Sequence, residues 1–244
     1  MCYMLLGFYA ISNNILKQSV AMLIMICAYE FLAKNKKVKF VLLTLLAATF
    51  HTTAIIAAIL MVFSRMIKPS YKNLWICVLV GIVSIFLYNV MGNILGYISI
   101  LARYQKYFIN TSTFSSMLKE TIGVAGYAII YTLITIVVLT KKEKIKEDNP
   151  EVYKRIPLLM LGVTTSIFAI NNWTINRIAL YLYQFVIVIL PTLFSLKYTI
   201  KGKKIYIFMI LLILVTSCSF LTIFAAENEY YQYKTYFNTT PQPY

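Results

Sequence analysis

Long apolar runs separated by clusters of lysine are the feature that most constrains this fold. Most of the runs approach the roughly 20 apolar residues that one helical crossing of a bilayer needs. Only 13% of the residues are charged and 60% are hydrophobic, whereas a soluble domain carries about 25% charged residues. Too few polar side chains remain to cover a water-facing surface. The composition therefore excludes a soluble domain and, despite the net charge of +15, a soluble nucleic-acid-binding protein.

Every segment that crosses the membrane must be helical, because hydrocarbon offers no partner for backbone polar groups. We therefore predict an all-α, polytopic membrane protein with about six to seven spans and one transmembrane domain over residues 1–226. A polar, tyrosine-rich tail follows at 227–244. The predicted segments are a partial helix at 1–12, a hairpin at 38–63, and spans at about 13–33, 73–91, 121–140, 156–170, 176–196 and 205–226.

Clusters of basic residues give the predicted orientation. Four clusters, at 34–39, 65–72, 141–155 and 197–204, hold 17 of the 23 lysines and arginines. Cytoplasmic loops of membrane proteins carry an excess of such residues, so we place all four clusters on the cytoplasmic side. The remaining basic residues then fall on the external side, and they are Lys17, Arg103, Lys106, Lys119, Arg177 and Lys234.

The apolar run 38–63 lies between two of these clusters, so a single crossing would leave one cluster outside. We predict that the run enters the membrane and returns as a re-entrant helical hairpin. A polar break at Phe50-His51-Thr52-Thr53 places His51 near the tip. Each arm of about 12 residues would be about 18 Å long. That length does not cross a hydrocarbon core of about 30 Å.

His51 is the only histidine of the chain. An ionisable side chain inside a membrane costs about 2.5 kcal/mol or more, which makes it a functional candidate. The alternative is a core histidine that only makes hydrogen bonds. No second histidine or carboxylate lies near it in the sequence. We therefore expect no metal and no cofactor.

Lys17 and Arg177 begin two predicted spans on the external side. A lysine and an arginine there could clamp a phosphate group through charge-assisted hydrogen bonds. The alternative is that both side chains simply extend to the membrane interface. Arg103 lies in the tyrosine-rich stretch 102–107. An interfacial aromatic belt with a loop charge explains that stretch equally well.

Carboxylates are absent from the centres of the predicted spans. Glu30 lies close to the cytoplasmic end of its span, where we expect it to pair with a lysine. Proton-coupled transporters commonly use buried acidic relays, and glycosidases commonly use two carboxylates. The sequence therefore favours neither of these mechanisms.

Four short segments together resemble a known family. Residues 14–21 read NILKQSVA, 36–40 read KKVKF, 47–54 read AATFHTTA, and 176–181 read NRIALY, with Pro191 ten residues later. Their order and spacing are similar to the EpsG family of polysaccharide polymerases, which resemble Wzy-type enzymes. The family pattern has an N-x-x-R-Q-x-x-A segment, a basic loop, an F-H pair and a later R-x-x-x-Y segment. Lys17 stands where the family usually has arginine.

The resemblance implies a membrane glycan polymerase that joins undecaprenyl-pyrophosphate-linked oligosaccharide repeat units into extracellular or capsular polysaccharide. In that role His51, Lys17 and Arg177 are the expected catalytic residues. The expected substrate-binding residues are Asn14, Gln18, Arg103, Lys106 and Tyr181. Expected partners are the lipid bilayer, the lipid-linked oligosaccharide, a flippase and chain-length-control proteins, without nucleic acid.

The expected location is the bacterial plasma or inner membrane, with the C-terminal tail outside. Family members begin well upstream, so we also expect this chain to be N-terminally truncated. Three alternatives remain open. They are an O-antigen-ligase-like glycosyltransferase, a transporter of a lipid-linked glycan or small molecule, and a non-catalytic remnant. A transporter would move substrate without forming a new glycosidic bond.

Overall fold

The computed structural model describes residues 16–97, 114–171 and 173–196, together with 208, 211, 212 and 215. The described ranges are helical with short connections and contain no strand, so the all-α prediction is confirmed. The predicted partial helix at 1–12, nearly all of the predicted span at 205–226 and the tail at 227–244 lie outside these ranges. In chain order the helices are α1 (Leu16–Ala33), α2 (Lys37–Phe50), α3 (Ala54–Ser64), α4 (Tyr71–Tyr97), α5 (Phe114–Thr140), α6 (Lys142–Asp148), α7 (Pro150–Tyr153), α8 (Ile156–Phe168), α9 (Trp173–Tyr183) and α10 (Val186–Ser195).

A tight turn at Asn35 folds α2 back along α1. Asn35 adopts a left-handed conformation with φ 57°, which asparagine tolerates better than most residues. Its backbone N–H donates to Leu32 O at 3.0 Å, and the N–H of Lys36 donates to Phe31 O at 2.8 Å. This is the hydrogen-bond pattern of a Schellman motif, which satisfies the last carbonyls of a helix. The two helices then pack extensively against each other.

The helical hairpin predicted over 38–63 is present. Helix α2 ends where His51 takes an extended conformation, with φ −154° and ψ 116°, and α3 begins at Ala54. The 14 residues of α2 and 11 of α3 correspond to about 21 Å and 16 Å of helix. Arg65, directly after α3, donates from Nη2 to Asn35 Oδ1 at 2.7 Å. The chain therefore returns to the end from which it started, and the depth of the tip in the membrane stays a prediction.

Three of the four basic clusters meet at that same end of the molecule. Besides the contact between Arg65 and Asn35, Lys142 Nζ donates to Pro69 O at 3.3 Å. Arg155 forms an ion pair with Glu30 near the end of α1. The prediction that Glu30 pairs with a lysine is wrong, because the loop 141–155 brings an arginine to this carboxylate. We call this region the basic end.

Helix α8 occupies the centre of the bundle. It packs against α3, α4, α5 and α9, and most of its side chains are buried. A helix that is apolar on all sides is typical of such a position. At Gly81 and Gly162 the absence of a side chain lets Ile167 and Tyr183 approach the backbone closely.

Two helices of the described ranges are long and apolar enough to cross a membrane, namely Leu16–Ala33 and the continuous stretch Asn176–Leu193. A third crossing results if the bent pair Ala125–Thr140 and Lys142–Asp148 forms one span, with a bend of 62°. The total of six to seven spans and their individual limits stay predictions.

Candidate functional site

The start of α1 meets the start of α9 at the end of the bundle opposite to the basic end. Gln18 is buried and donates from Nε2 to the backbone oxygen of Arg177 at 2.7 Å. Further down, Gln184 donates from Nε2 to Met22 O at 2.9 Å. These two hydrogen bonds join α1 to the α9–α10 segment. They bring together two of the sequence segments that carry the family resemblance.

The tip of the hairpin reaches the same place. The Nδ1 atom of His51 lies 2.6 Å from Thr53 Oγ1, and that hydroxyl donates to Tyr181 OH at 3.5 Å. In the tautomer of His51 that carries its proton on Nδ1, Thr53 Oγ1 accepts that proton's hydrogen bond while its own hydroxyl points to Tyr181. The other ring nitrogen, Nε2, is then left with a free lone pair. His51 is half-buried, so this nitrogen suits the role of a base.

Arg177 places a positive charge within electrostatic range of this histidine. Its side chain is half-buried, and its guanidinium lies close enough to His51 to act on it electrostatically. Its buried Nε has no hydrogen-bond partner in the described part of the chain. No ion pair to Arg177 occurs among the described residues either, whereas the buried Arg155 is paired with Glu30. A half-buried cation that has no counter-ion among the described residues favours an anionic ligand.

The remaining predicted site residues differ in their placement. Lys17 is exposed at the first turn of α1, next to Gln18. The Oε1 atom of Gln18 is buried without a hydrogen-bond partner in the described ranges, and Tyr181 is fully buried. The residues of the prediction that lie outside the described ranges are Asn14, Arg103 and Lys106.

Sequence reasoning missed three residues that hold this cluster together. Thr53 orients the ring of His51. Ser166, at the end of α8, donates to the buried Asn176 Oδ1 at 2.9 Å and so fixes the start of α9. Thr53 and Asn176 stand inside the resembling segments 47–54 and 176–181, so a close reading of those segments could have found them. No comparable signal marks Ser166.

The cluster combines a base, a positive charge, one amide and two hydroxyl groups at one site. We call His51, Thr53, Gln18, Arg177 and Tyr181 the histidine cluster. No group of three histidine, cysteine or acidic side chains in the described ranges could hold a metal ion. The chemistry offered by these side chains is proton transfer next to a bound anion.

The described ranges form an all-helical bundle with apolar helices long enough to span a membrane, which is the fold of a polytopic membrane protein. Comparison with family models narrows the class, since the model of the EpsG family matches residues 1–235. The chain therefore belongs to the EpsG family, the family of Wzy-type polysaccharide polymerase-like proteins. It is thus a membrane protein of polysaccharide biosynthesis. No curated protein and no solved structure matches the chain significantly.

Proposed function

We propose that this protein is a glycan polymerase that joins lipid-linked oligosaccharide repeat units on the external side of the bacterial plasma membrane. The single observation that carries the proposal is the half-buried side chain of Arg177, which lacks an acidic partner in the described ranges and whose charge acts on His51. A pyrophosphate is an anion that fits such a position, because arginine binds phosphate oxygens with two parallel hydrogen bonds. Membership of the EpsG family supports the same substrate class.

The proposed reaction moves the growing glycan from undecaprenyl pyrophosphate to a hydroxyl of the next lipid-linked repeat unit. The hydroxyl oxygen forms a bond to the anomeric carbon of the donor sugar, and the bond from that carbon to the phosphate oxygen breaks. Nε2 of His51 accepts the hydroxyl proton, a step that typically contributes about 10²–10⁴-fold. The leaving undecaprenyl pyrophosphate carries away the negative charge.

Arg177 stabilises the charge that develops on the pyrophosphate as this bond breaks. Lys17, exposed one residue before Gln18, adds a second cation, although lysine lacks the two-pronged geometry of arginine. The buried amide oxygen of Gln18, which has no hydrogen-bond partner among the described residues, can accept a hydrogen bond from a sugar hydroxyl. The prenyl chain lies between the apolar helices, and we assign Asn14, Arg103 and Lys106 to the glycan.

Chain-length analysis of the surface glycan tests this proposal in a host whose polysaccharide depends on this protein. We expect His51→Ala and Arg177→Ala to leave single repeat units at the surface and no polymer. Matched controls are Thr49→Ala, whose exposed hydroxyl donates within α2 to Leu46 O, and Lys37→Ala at the basic end. Both controls should keep the normal polymer.

Immunoblots of the membrane fraction establish that each variant is inserted at the normal level. Normal polymer in normally inserted His51→Ala and Arg177→Ala strains would refute the proposed roles. The same assay separates the alternatives. Loss of a transporter leaves no repeat units outside, and loss of a ligase leaves polymer that stays on its lipid carrier.

A further inference from the structure

A cavity of about 610 Å³ opens at the basic end, on the opposite side of the bundle from the histidine cluster. Three connecting segments form it, namely the end of α1 with its turn, the segment after α3, and the region from α6 to α8. A pocket of this volume lies within the range of about 300–1,000 Å³ that is typical of small-molecule sites. Its polar lining includes Tyr29, Asn35, Arg65, Lys68, Lys146 and Lys154.

The charge of this lining is entirely positive. No acidic residue is among the described residues that line the cavity. Of its four cations only Lys154 is neutralised within the described ranges, by an ion pair of 2.8 Å to Glu151. Arg65, Lys68 and Lys146 form no ion pair in the part of the chain that the structure describes. Three uncompensated charges that share one concave surface attract an anion more strongly than scattered surface lysines do.

Neutral groups hold several of these side chains in place. Asn35 Oδ1 accepts a hydrogen bond of 2.7 Å from Arg65 Nη2. Lys146 Nζ lies 5.8 Å from the centre of the Tyr153 ring. The hydroxyl of Tyr29 donates to Lys154 O at 2.9 Å and ties the inner wall to the loop. Neutral partners orient the cations without cancelling their charge, and this lowers the cost of ordering them on ligand binding.

We propose that this cavity binds a phosphate-bearing anion, supplied either by the headgroup of an anionic phospholipid or by a soluble phosphate compound. The positive-inside tendency accounts for basic residues on this side, but it does not require them to converge on one cavity. Basic pockets between helix ends at the cytoplasmic membrane surface suit phosphate headgroups. The inference concerns the end remote from the histidine cluster and does not rest on the proposed polymerase reaction.

The test uses the purified full chain in a mild neutral detergent. One arm measures binding of short-chain phosphatidylglycerol against short-chain phosphatidylcholine by native mass spectrometry. The other arm measures binding of inorganic pyrophosphate in the absence of lipid. The cavity variant is Lys68→Gln with Lys146→Gln, and the matched control is Lys36→Gln with Lys37→Gln. The control removes two exposed charges at the same end that do not line the cavity.

We expect binding of one probe to weaken on the order of tenfold or more in the cavity variant and to stay unchanged in the control, because the variant removes two charged hydrogen-bond donors from the cavity. Preference for phosphatidylglycerol identifies a lipid headgroup as the source. Binding of pyrophosphate alone identifies a soluble phosphate. Either result supports the proposal. Absence of binding to both probes, or equal loss in the cavity variant and the control, overturns it.

Discussion

Replacing Gly81 by alanine should loosen the contact between α4 and the central helix α8. A Cβ atom at position 81 would lie 2.9 Å from Ile167 Cβ and 3.2 Å from Thr164 O. Both neighbours belong to or adjoin the backbone of α8, so neither can rotate away. The two helices would have to separate. One turn earlier, the carbonyl of Cys77 accepts a hydrogen bond of 3.0 Å from Thr164 Oγ1, and separation would weaken this bond as well.

The effect of Gly81→Ala on the free energy of unfolding results from two opposing contributions. Adding a methyl group to a well-packed contact costs about 1–3 kcal/mol. Alanine in place of glycine returns about 1 kcal/mol through better helix propensity. Because both clashes involve atoms at the backbone, the cost of the added methyl group should lie in the upper part of its range. We therefore expect a net loss of about 1–2 kcal/mol in the free energy of unfolding. For a chain of this size that corresponds to a fall in melting temperature of about 2–8 °C.

The thiol of Cys77 provides the assay, because it is buried and its side chain contacts Thr164 of α8. In a background with serine at positions 2, 27 and 218, a maleimide dye that fluoresces on reaction reports when α4 separates from α8. Val80→Leu is the matched control. It adds one carbon on the same helix, at a side chain that is 52% exposed. A melting temperature of Gly81→Ala equal to or above that of the parent would refute the packing argument.

Two further predictions concern the ion pair and the hairpin tip. Glu30→Gln should lower the free energy of unfolding by about 1–2 kcal/mol in thermal unfolding, because it leaves the buried Arg155 without its ion pair. The loss stays modest because the Glu30 side chain is itself 35% exposed. Glu151→Gln, in an exposed pair, should change stability by less than about 1 kcal/mol, and equal effects would contradict the difference in burial. Thr53→Val should slow polymer formation about tenfold by freeing the ring of His51. Tyr181→Phe should have a smaller effect because its contact is 3.5 Å long, and a larger effect would show that Tyr181 acts in another way.

The sequence was sufficient for the features that depend on local pattern. The apolar runs predicted an all-α membrane protein, which the structure and the family match confirm. The lysine clusters on both sides of 38–63 predicted a chain reversal, and the break falls at His51 as the polar segment indicated. These features follow from hydropathy, charge and segment length alone.

Features that depend on distant partners were not predictable in the same way. Glu30 pairs with Arg155, 125 residues away, because the loop after α5 crosses the end of α1, and no local pattern encodes that crossing. Gln18 and Arg177 lie 159 residues apart and are in contact. Only the family resemblance placed these two residues in the same predicted site. The basic cavity could not be predicted from the sequence, because its lining comes from three segments that are far apart in the chain. The basic residues of each segment are explained individually by the orientation of the chain in the membrane.

Polymerisation by the purified protein tests the central claim most directly. The protein is reconstituted into liposomes with undecaprenyl-pyrophosphate-linked repeat units, and the release of undecaprenyl pyrophosphate is measured together with glycan length. We predict one lipid pyrophosphate released for each new glycosidic bond, and a rate about 10²–10⁴-fold lower for His51→Ala. A correctly folded His51→Ala protein that polymerises at the rate of the parent would contradict the account.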